Sequence, residues 1–342
     1  MKILDLRTAI HRVWRPVTAS RRPWWQGTVN GLMDFIQDRR VSRRSAPPAR
    51  PRIVSVGNLA VGGTGKTPVV IQLALDLAAA GHCGCVLTRG YGSGLAGPLQ
   101  VDPADELAGD EARMMAALLQ PTGWPVVQSR RRRDGVQWIR RHLDEVDLVL
   151  LEDGHQTPIG RHLDVLIVDT WHDDLGGLAV RTGPVMPFGP WRESARGARR
   201  ADLLLLEAQA PPATSTTGQP VTGFVRRLVL DPAPVTGAPW AALSGVARPL
   251  RFEEDATAVL GRPPELAIRC DDHSGYGAAL LNRITGALRA AGAPCTVTTR
   301  KDWTKLAPSW PEDLPVIVAD QDLSWTGKQT LPAMVGERLD NR

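Results

Sequence analysis

Short, wholly apolar runs alternate with longer amphipathic stretches along most of this chain. Residues 53–56, 83–88, 125–128, 148–151, 162–171 and 201–207 read as strands, several apolar throughout, as expected where both faces of a sheet are covered. Residues 69–80, a segment opening near Asp110, and the basic stretches 130–133 and 138–142 read as the intervening helices. The basic helix is expected to be a solvated face, with a surface near phosphate as the alternative. Strand–helix alternation of this kind predicts an α/β fold with a mostly parallel sheet and helices on both faces. An Ala/Pro/Thr/Gly-rich stretch, 208–220, marks a boundary. Beyond it, an alternating strand at 224–231, strands at 241–244, 267–270, 295–299 and 314–318, and a helix at 276–291 predict a smaller α/β domain. The expected division is 1–52, 53–215 and 216–342, with the last residues able to return to the first α/β domain.

The first 52 residues pattern differently. Leu4, Leu6, Ile10, Val13, Trp14 and Val17 make one broken apolar stripe, and Leu32, Met33, Phe35 and Ile36 another, so residues 3–36 read as helical. Charge sharpens the contrast. Residues 1–52 hold 12 Lys/Arg against 3 Asp/Glu, while the rest of the chain holds 29 against 33. With Trp24 and Trp25 beside Arg21 and Arg22, this segment suits an anionic membrane surface, where indoles anchor and arginines meet headgroups; packing of the tryptophans on the protein body is the alternative. Residues 38–52 read as a linker or exposed collar. No run of 18 apolar residues predicts a spanning helix. Nucleic-acid binding is not expected, because no zinc, helix-turn-helix or RNA-binding pattern accompanies the charge. The four cysteines, 83, 85, 270 and 295, suit buried free thiols in a reducing compartment rather than a disulfide framework.

The chemistry centres on residues 53–72, IVSVGNLAVGGTGKTPVVIQ: a strand, a glycine-rich turn, and a helix opening at Lys-Thr. The phosphate-loop pattern requires Gly, four residues, then Gly-Lys-Ser/Thr. Gly65, Lys66 and Thr67 satisfy its end, and Ala60 occupies the first glycine position. Gly62, Gly63, Thr64 and Gly65 form a cradle whose backbone N–H groups can converge on phosphate oxygens. Lys66 would reach the outer phosphates of ATP, and the Thr67 hydroxyl would sit on Mg²⁺. The strand at 148–151 runs straight into Glu152 and Asp153, where an enzyme of this kind holds its metal. Asp110 has two readings: a helix-starting acid or a catalytic carboxylate.

Together these pieces resemble the tetraacyldisaccharide 4′-kinase family of lipid A biosynthesis. The likeness is carried by SVGNLAVGGTGKTP (55–68), RGYG (89–92), GDE (109–111), EDGHQ (152–156), RTGPVMPFGPWRES (181–194), SGVARPLRF (244–252), DDHSGY (271–276) and TTRKD (298–302). It implies a P-loop nucleotide-binding domain and a smaller α/β domain joined by a two-stranded linker. The implied activity is transfer of the ATP γ-phosphate to the 4′-hydroxyl of an acylated disaccharide 1-phosphate, at the cytoplasmic face of the inner membrane. The family's essential aspartate falls on Asp110 and its partner histidine on His273; its paired acids fall on Glu152 and Asp153. The same motifs supply Asn58, Arg89, Tyr91, Gln156 and Arg181 as candidate substrate-binding residues. The chain departs from the family pattern at Glu152, His155, Thr157, Pro158, Ser274 and the 247–249 tripeptide. A P-loop ATPase or GTPase acting as a switch or in cofactor insertion is the rival reading; it would hydrolyse nucleotide without making a phosphorylated lipid.

Overall fold

The computed structural model describes residues 1–7, 26–42, 45–62, 65–169, 171–174, 177–234, 236–272, 274–292 and 294–340. The chain forms two compact units, Met1–Arg15 with Arg226–Asp322, and Pro16–Val225 with Leu323–Arg342. It opens with β1 (Lys2–Asp5), which belongs to the first of these, and α1 (Gln26–Val41), which belongs to the second. The expected helix over residues 3–36 is therefore corrected at its start. Lys2–Asp5 pairs in parallel with a later strand instead, as a short apolar segment can when an open sheet edge is within reach. The tryptophan pair at 24–25 lies outside the described residues.

The larger unit contains β2 (Arg52–Asn58), α2 (Lys66–Ala79), β3 (Gly84–Thr88), β4 (Leu99–Gln100), α3 (Asp110–Leu119), β5 (Val126–Gln128), α4 (Arg132–His142), β6 (Leu148–Glu152), β7 (Leu163–Val168), the hairpin β8 (Trp171–Asp174) and β9 (Gly177–Val180), β10 (Leu203–Glu207) and the start of β11 (Val221–Asp231). Its sheet runs β11-β10-β7-β2-β6-β3-β5-β4 and is parallel except for β4 at the edge. Apolar runs without alternation follow from burial on both faces. In β10, Leu203 and Leu205 enter one core and Leu204 and Leu206 the other. Val69, Leu73 and Leu77 of α2 and Met115 of α3 cover the first face; Val136 and Ile139 of α4 cover part of the second. Trp171 does not extend the buried strand β7 as expected. It starts β8 and pairs antiparallel with β9.

The smaller unit has β12 (Ala241–Ser244), α5 (Pro249–Leu260), β13 (Leu266–Arg269), α6 (Ala278–Ala291), β14 (Thr296–Thr299), α7 (Arg300–Leu306) and the first part of β15 (Val316–Thr326). Its strands run β1-β13-β12-β14-β15, all parallel. Two of the three unit boundaries fall inside the long strands β11 and β15, and the chain ends in the larger unit with α8 (Leu331–Asp340), whose Leu331 and Val335 are fully buried there. All four cysteines are free. Cys85 and Cys270 are buried, but Cys83, expected inside, is exposed just before β3.

Candidate active site

Parallel pairing decides which residues meet. The register of β2 against β6 sets Val56 beside Glu152, so the residues after Val56 emerge next to the turn that starts at Asp153. Gly57 permits this closeness, because a Cβ there would lie 2.5 Å from the His155 Cβ and 2.8 Å from its backbone nitrogen. The chain then passes through Asn58, Leu59 and Ala60 into the glycine turn. Ala60 forms a β-bridge with Trp191, and the Val61 N–H donates to the Pro190 carbonyl at 2.7 Å. Ala60 is not among the residues with left-handed backbone, so the first phosphate-loop position has no need of glycine here. Gly62 (φ 85°) and Gly65 (φ 84°) do need it. Gly63 and Thr64 lie outside the described residues. Gly65 caps α2, which opens directly with Lys66 and Thr67.

Around that helix start stand the expected polar residues. The Lys66 ammonium donates to Asn58 Oδ1 at 3.3 Å and lies 3.6 Å from Asp153 Oδ1. The Thr67 hydroxyl donates to Glu111 Oε2 at 3.4 Å. Glu152 closes β6 and is buried. It accepts from the Thr88 hydroxyl at 2.9 Å, and its carbonyl accepts from Arg132 Nη2 at 2.8 Å. Asp153 has a left-handed backbone, φ 54°, uncommon for a residue with a side chain and tolerated best by Asn and Asp. Arg192 Nη1 donates to Asp153 Oδ1 at 2.7 Å and to Gln156 Oε1 at 3.1 Å. Gln156 in turn donates to the Asn58 carbonyl and to Glu193 Oε1, both at 2.8 Å. Behind it, His155 lies 3.1 Å from Asp164 Oδ2, which satisfies its ring within the core.

The two acids differ electrostatically. Burial, then the neighbouring charges of Asp153 and Glu111, push the Glu152 carboxyl above its ordinary range, opposed by Arg132 and Lys66. Burial also acts upward on Asp153, but Lys66 and Arg192 outweigh it and hold that carboxyl well below the usual range. The expectation that residues 130–133 lie on a solvated face fails for Arg132. Its guanidinium is buried beneath Glu152, and burial lowers it to about 10 against the pull of Glu152 and Asp153.

Asp110 is the first residue of α3, and its Oδ1 accepts from the Glu111 N–H at 2.9 Å. The pairing of Glu111 with Thr67 brings this helix start to the phosphate loop. Arg89 and Tyr91 are exposed in the turn after β3. Arg181 is exposed at the start of the loop after β9, whereas Arg192, near the end of that loop, reaches Asp153. His273 lies outside the described residues. Sequence reading missed Glu111, Thr88, Arg132, Arg192 and Glu193. Three of these, Glu111, Arg192 and Glu193, sat inside motifs already singled out.

The arrangement fits a metal–nucleotide. Two left-handed glycines shape the cradle, and a lysine and a threonine open the helix behind it. Among the described residues no three His, Cys, Asp or Glu side chains stand together as a protein-only metal site. Mg²⁺ does not require one, since one or two carboxylates with substrate phosphates suffice.

Comparison with known proteins agrees with this geometry. The family model for tetraacyldisaccharide-1-P 4'-kinase matches residues 29–340. The tetraacyldisaccharide 4'-kinase of Phenylobacterium zucineum is 36% identical over 87% of this chain and 88% of its own length. That of Maricaulis maris is also 36% identical, over 77% and 76%. The crystal structure of LpxK from Aquifex aeolicus in complex with ATP superposes with a TM-score of 0.64 at 25% identity, covering 93% of this chain and 96% of that one. The phosphate-loop cradle, the paired acids after β6 and these matches have one reading: the chain belongs to the tetraacyldisaccharide-1-P 4'-kinase family.

Proposed function

We propose that this kinase transfers the γ-phosphate of ATP to the 4'-hydroxyl of a tetraacyldisaccharide 1-phosphate. The observation that carries the reading is the meeting of Lys66, Thr67, Glu111 and Asp153 at the carboxyl ends of β2 and β6. The relatives that bear this activity in their names and the ATP-bound neighbour support it.

The residues divide the work. The amides of the glycine turn and the Lys66 ammonium bind the phosphates. Asn58 and Asp153 hold that ammonium at the mouth of the cradle until nucleotide arrives. Thr67, Asp153 and Glu152 would hold Mg²⁺, which would neutralise charge on the phosphate oxygens. Arg192 fixes Asp153, and Gln156 ties Arg192 to Asn58, so the acid is oriented before substrate binds. Asp110 orients the acceptor hydroxyl and takes its proton. Arg89, Tyr91 and Arg181, all exposed, would meet the sugar and its phosphate.

The acceptor is a lipid, and α1 supplies a surface for it. Asn30, Asp34 and Asp38 lie along one face of α1 and bind the Val185 N–H, Ser194 and Arg200. Leu32, Phe35 and Ile36 point the other way and are exposed, with the Arg39 guanidinium 4.9 Å from the Phe35 ring. An apolar face edged by arginines suits peripheral attachment to an anionic bilayer. No helix among the described residues is long and apolar enough to cross one.

The deciding experiment incubates purified protein with Mg-ATP and the disaccharide 1-phosphate in mixed micelles, then weighs the product. A mass gain of one phosphoryl group at the 4' position is expected. ATP hydrolysis with no phosphorylated lipid would overturn the reading in favour of a nucleotide switch.

A further inference from the structure

The strand β5 ends at Gln128, whose side chain is fully buried. Its amide makes three hydrogen bonds to two segments. Oε1 accepts from the Gly109 N–H at 3.0 Å; Nε2 donates to Ser93 Oγ at 2.7 Å and to the Leu95 carbonyl at 3.0 Å. The Ser93 hydroxyl passes the connection on by donating to the Leu107 carbonyl at 2.7 Å. Two glycines close against the same site. A Cβ on Gly90, at φ 65°, would fall 2.1 Å from Gln128 Cδ, and one on Gly109 would fall 2.8 Å from the Tyr91 carbonyl oxygen.

These contacts converge on two segments with proposed roles. One is the turn that presents Arg89 and Tyr91. The other is Gly109, the residue that caps α3 and so sets where Asp110 and Glu111 begin. A buried amide is costly unless its donors and acceptor are used. Both donors and the oxygen of Gln128 are engaged, so the group serves as a three-way tie rather than as filler, which an aliphatic side chain of the same length would provide.

We propose that Gln128 is a positioning residue for phosphoryl transfer. Through Gly109 it sets the start of α3, and with it Asp110 and the Glu111–Thr67 contact, and it holds the Arg89–Tyr91 turn at a fixed distance from that helix. The inference rests on the proposed kinase reaction for its catalytic meaning and on hydrogen bonding for its structural meaning. The two parts fail separately.

The test uses the full chain and two variants, Gln128→Met and Gln128→Glu. Methionine keeps the length and loses every hydrogen bond. Its kcat should fall about tenfold or more with KM for ATP within about twofold, because geometry at the reacting atoms is lost while the cradle is intact. Amide exchange should rise in residues 89–95 and 109–113 and stay unchanged in β2 and α2. Glutamate discriminates further. A protonated carboxyl has one donor and one acceptor, so it can serve Gly109 and one of the other two partners; an ionised one can only accept. The charged groups on the surrounding segments are Arg89, Arg130, Asp110 and Glu111. The kcat of Gln128→Glu relative to wild type should therefore climb as pH falls, while the Gln128→Met ratio stays flat. Wild-type kcat and exchange in Gln128→Met would overturn the proposal. So would Gln128→Glu and Gln128→Met losses that are equal at every pH and match a general fall in melting temperature. If wild-type protein makes no phosphorylated lipid, the kinase reading falls, and the exchange measurement alone decides the tie.

Discussion

Arg192 donates to Asp153 Oδ1 at 2.7 Å while the Lys66 ammonium stands 3.6 Å from the same oxygen. One carboxylate thus serves two cations that come from two motifs far apart in the sequence. Removing Arg192 leaves Asp153 to Lys66 alone, and removing Asp153 leaves Arg192 with Gln156. A double-mutant cycle of Arg192→Ala and Asp153→Asn should give a coupling of about 1–3 kcal/mol in denaturant unfolding at neutral pH. Because the cations depress the Asp153 pKa, the stabilisation is present above the ordinary carboxylate range and is lost as acid titrates through the lowered value. Additive effects of the two substitutions at pH 7 would contradict this.

Glu152 carries the opposite sign. Burial beside Asp153 and Glu111 raises its pKa, so the folded protein binds its proton more readily than the unfolded chain does. Below the ordinary carboxylate range the residue is neutral in both states and equivalent to glutamine. As pH rises toward the raised value, wild type loses stability that Glu152→Gln keeps. In metal-free, nucleotide-free protein the melting temperature of Glu152→Gln should exceed that of wild type by a margin that grows as pH rises above the ordinary carboxylate range toward the raised value. The same variant should lose activity at limiting Mg²⁺, since it gives up a carboxylate at the metal site.

Asp110 and Glu111 are neighbours with separable roles. Glu111 reaches Thr67, on the metal side of the cradle, and Asp110 starts the helix beside it. Asp110→Asn should cut kcat by about a hundredfold or more with near-normal ATP binding, the scale of losing a general base. Glu111→Gln should raise the Mg²⁺ concentration needed for half-maximal rate. Lys66→Ala alone should abolish ATP binding measured by calorimetry. Loss of ATP binding in Asp110→Asn would place that residue in the cradle rather than at the acceptor.

Much of this site was legible in sequence because its parts obey local rules. A glycine turn before Lys-Thr, and acids directly after an apolar strand, need no knowledge of distant contacts. What escaped depended on distance. Arg132 reads as one of four consecutive arginines, and only the packing of α4 under β6 buries it beneath Glu152. Arg192 and Glu193 sit in a proline-rich loop with no periodicity, and their role appears once Trp191 bridges Ala60. Residues 2–5 carry too few positions to distinguish helix from strand, so the open edge of β13 decides. On α1 the apolar positions were visible, but not that the helix docks through Asn30, Asp34 and Asp38 beside Val29 and Met33 and turns Leu32, Phe35 and Ile36 outward.

Gly57 is the point where two motifs touch. A Cβ there meets both the side chain and the backbone of His155, and His155 is held by Asp164 and the Gly197 carbonyl, so it cannot yield cheaply. Gly57→Ala should therefore cost about 1–3 kcal/mol in denaturant unfolding through overpacking. It should also raise KM for ATP by displacing Asn58 from Lys66. Gly92→Ala makes a contrasting control, with open space around the added methyl but a left-handed backbone at φ 76°, so its cost should be the smaller one of conformation alone. A Gly57→Ala protein as stable as wild type would show that β2 and the 152–156 turn are less tightly apposed than the structure has them.

The two faces of α1 give a last pair of opposed outcomes. Asp34 accepts from the Ser194 N–H at 2.8 Å and from its hydroxyl at 2.5 Å and is nearly fully buried. Asp34→Ala should lower stability by about 1–3 kcal/mol, since it leaves a buried donor unsatisfied. The triple variant Leu32→Ser, Phe35→Ser, Ile36→Ser alters side chains already in solvent, so its melting temperature should stay close to that of wild type. Its partition onto vesicles containing anionic lipid should fall at least roughly tenfold, because each large apolar side chain contributes about 1.5–3 kcal/mol when fully taken out of water. Turnover should fall with it on lipid presented in vesicles and recover on substrate dissolved in detergent, because the cradle and the acids lie elsewhere. Unchanged vesicle binding by the triple variant would transfer the attachment to another surface. A melting temperature lowered by several degrees would mean that this face packs against protein.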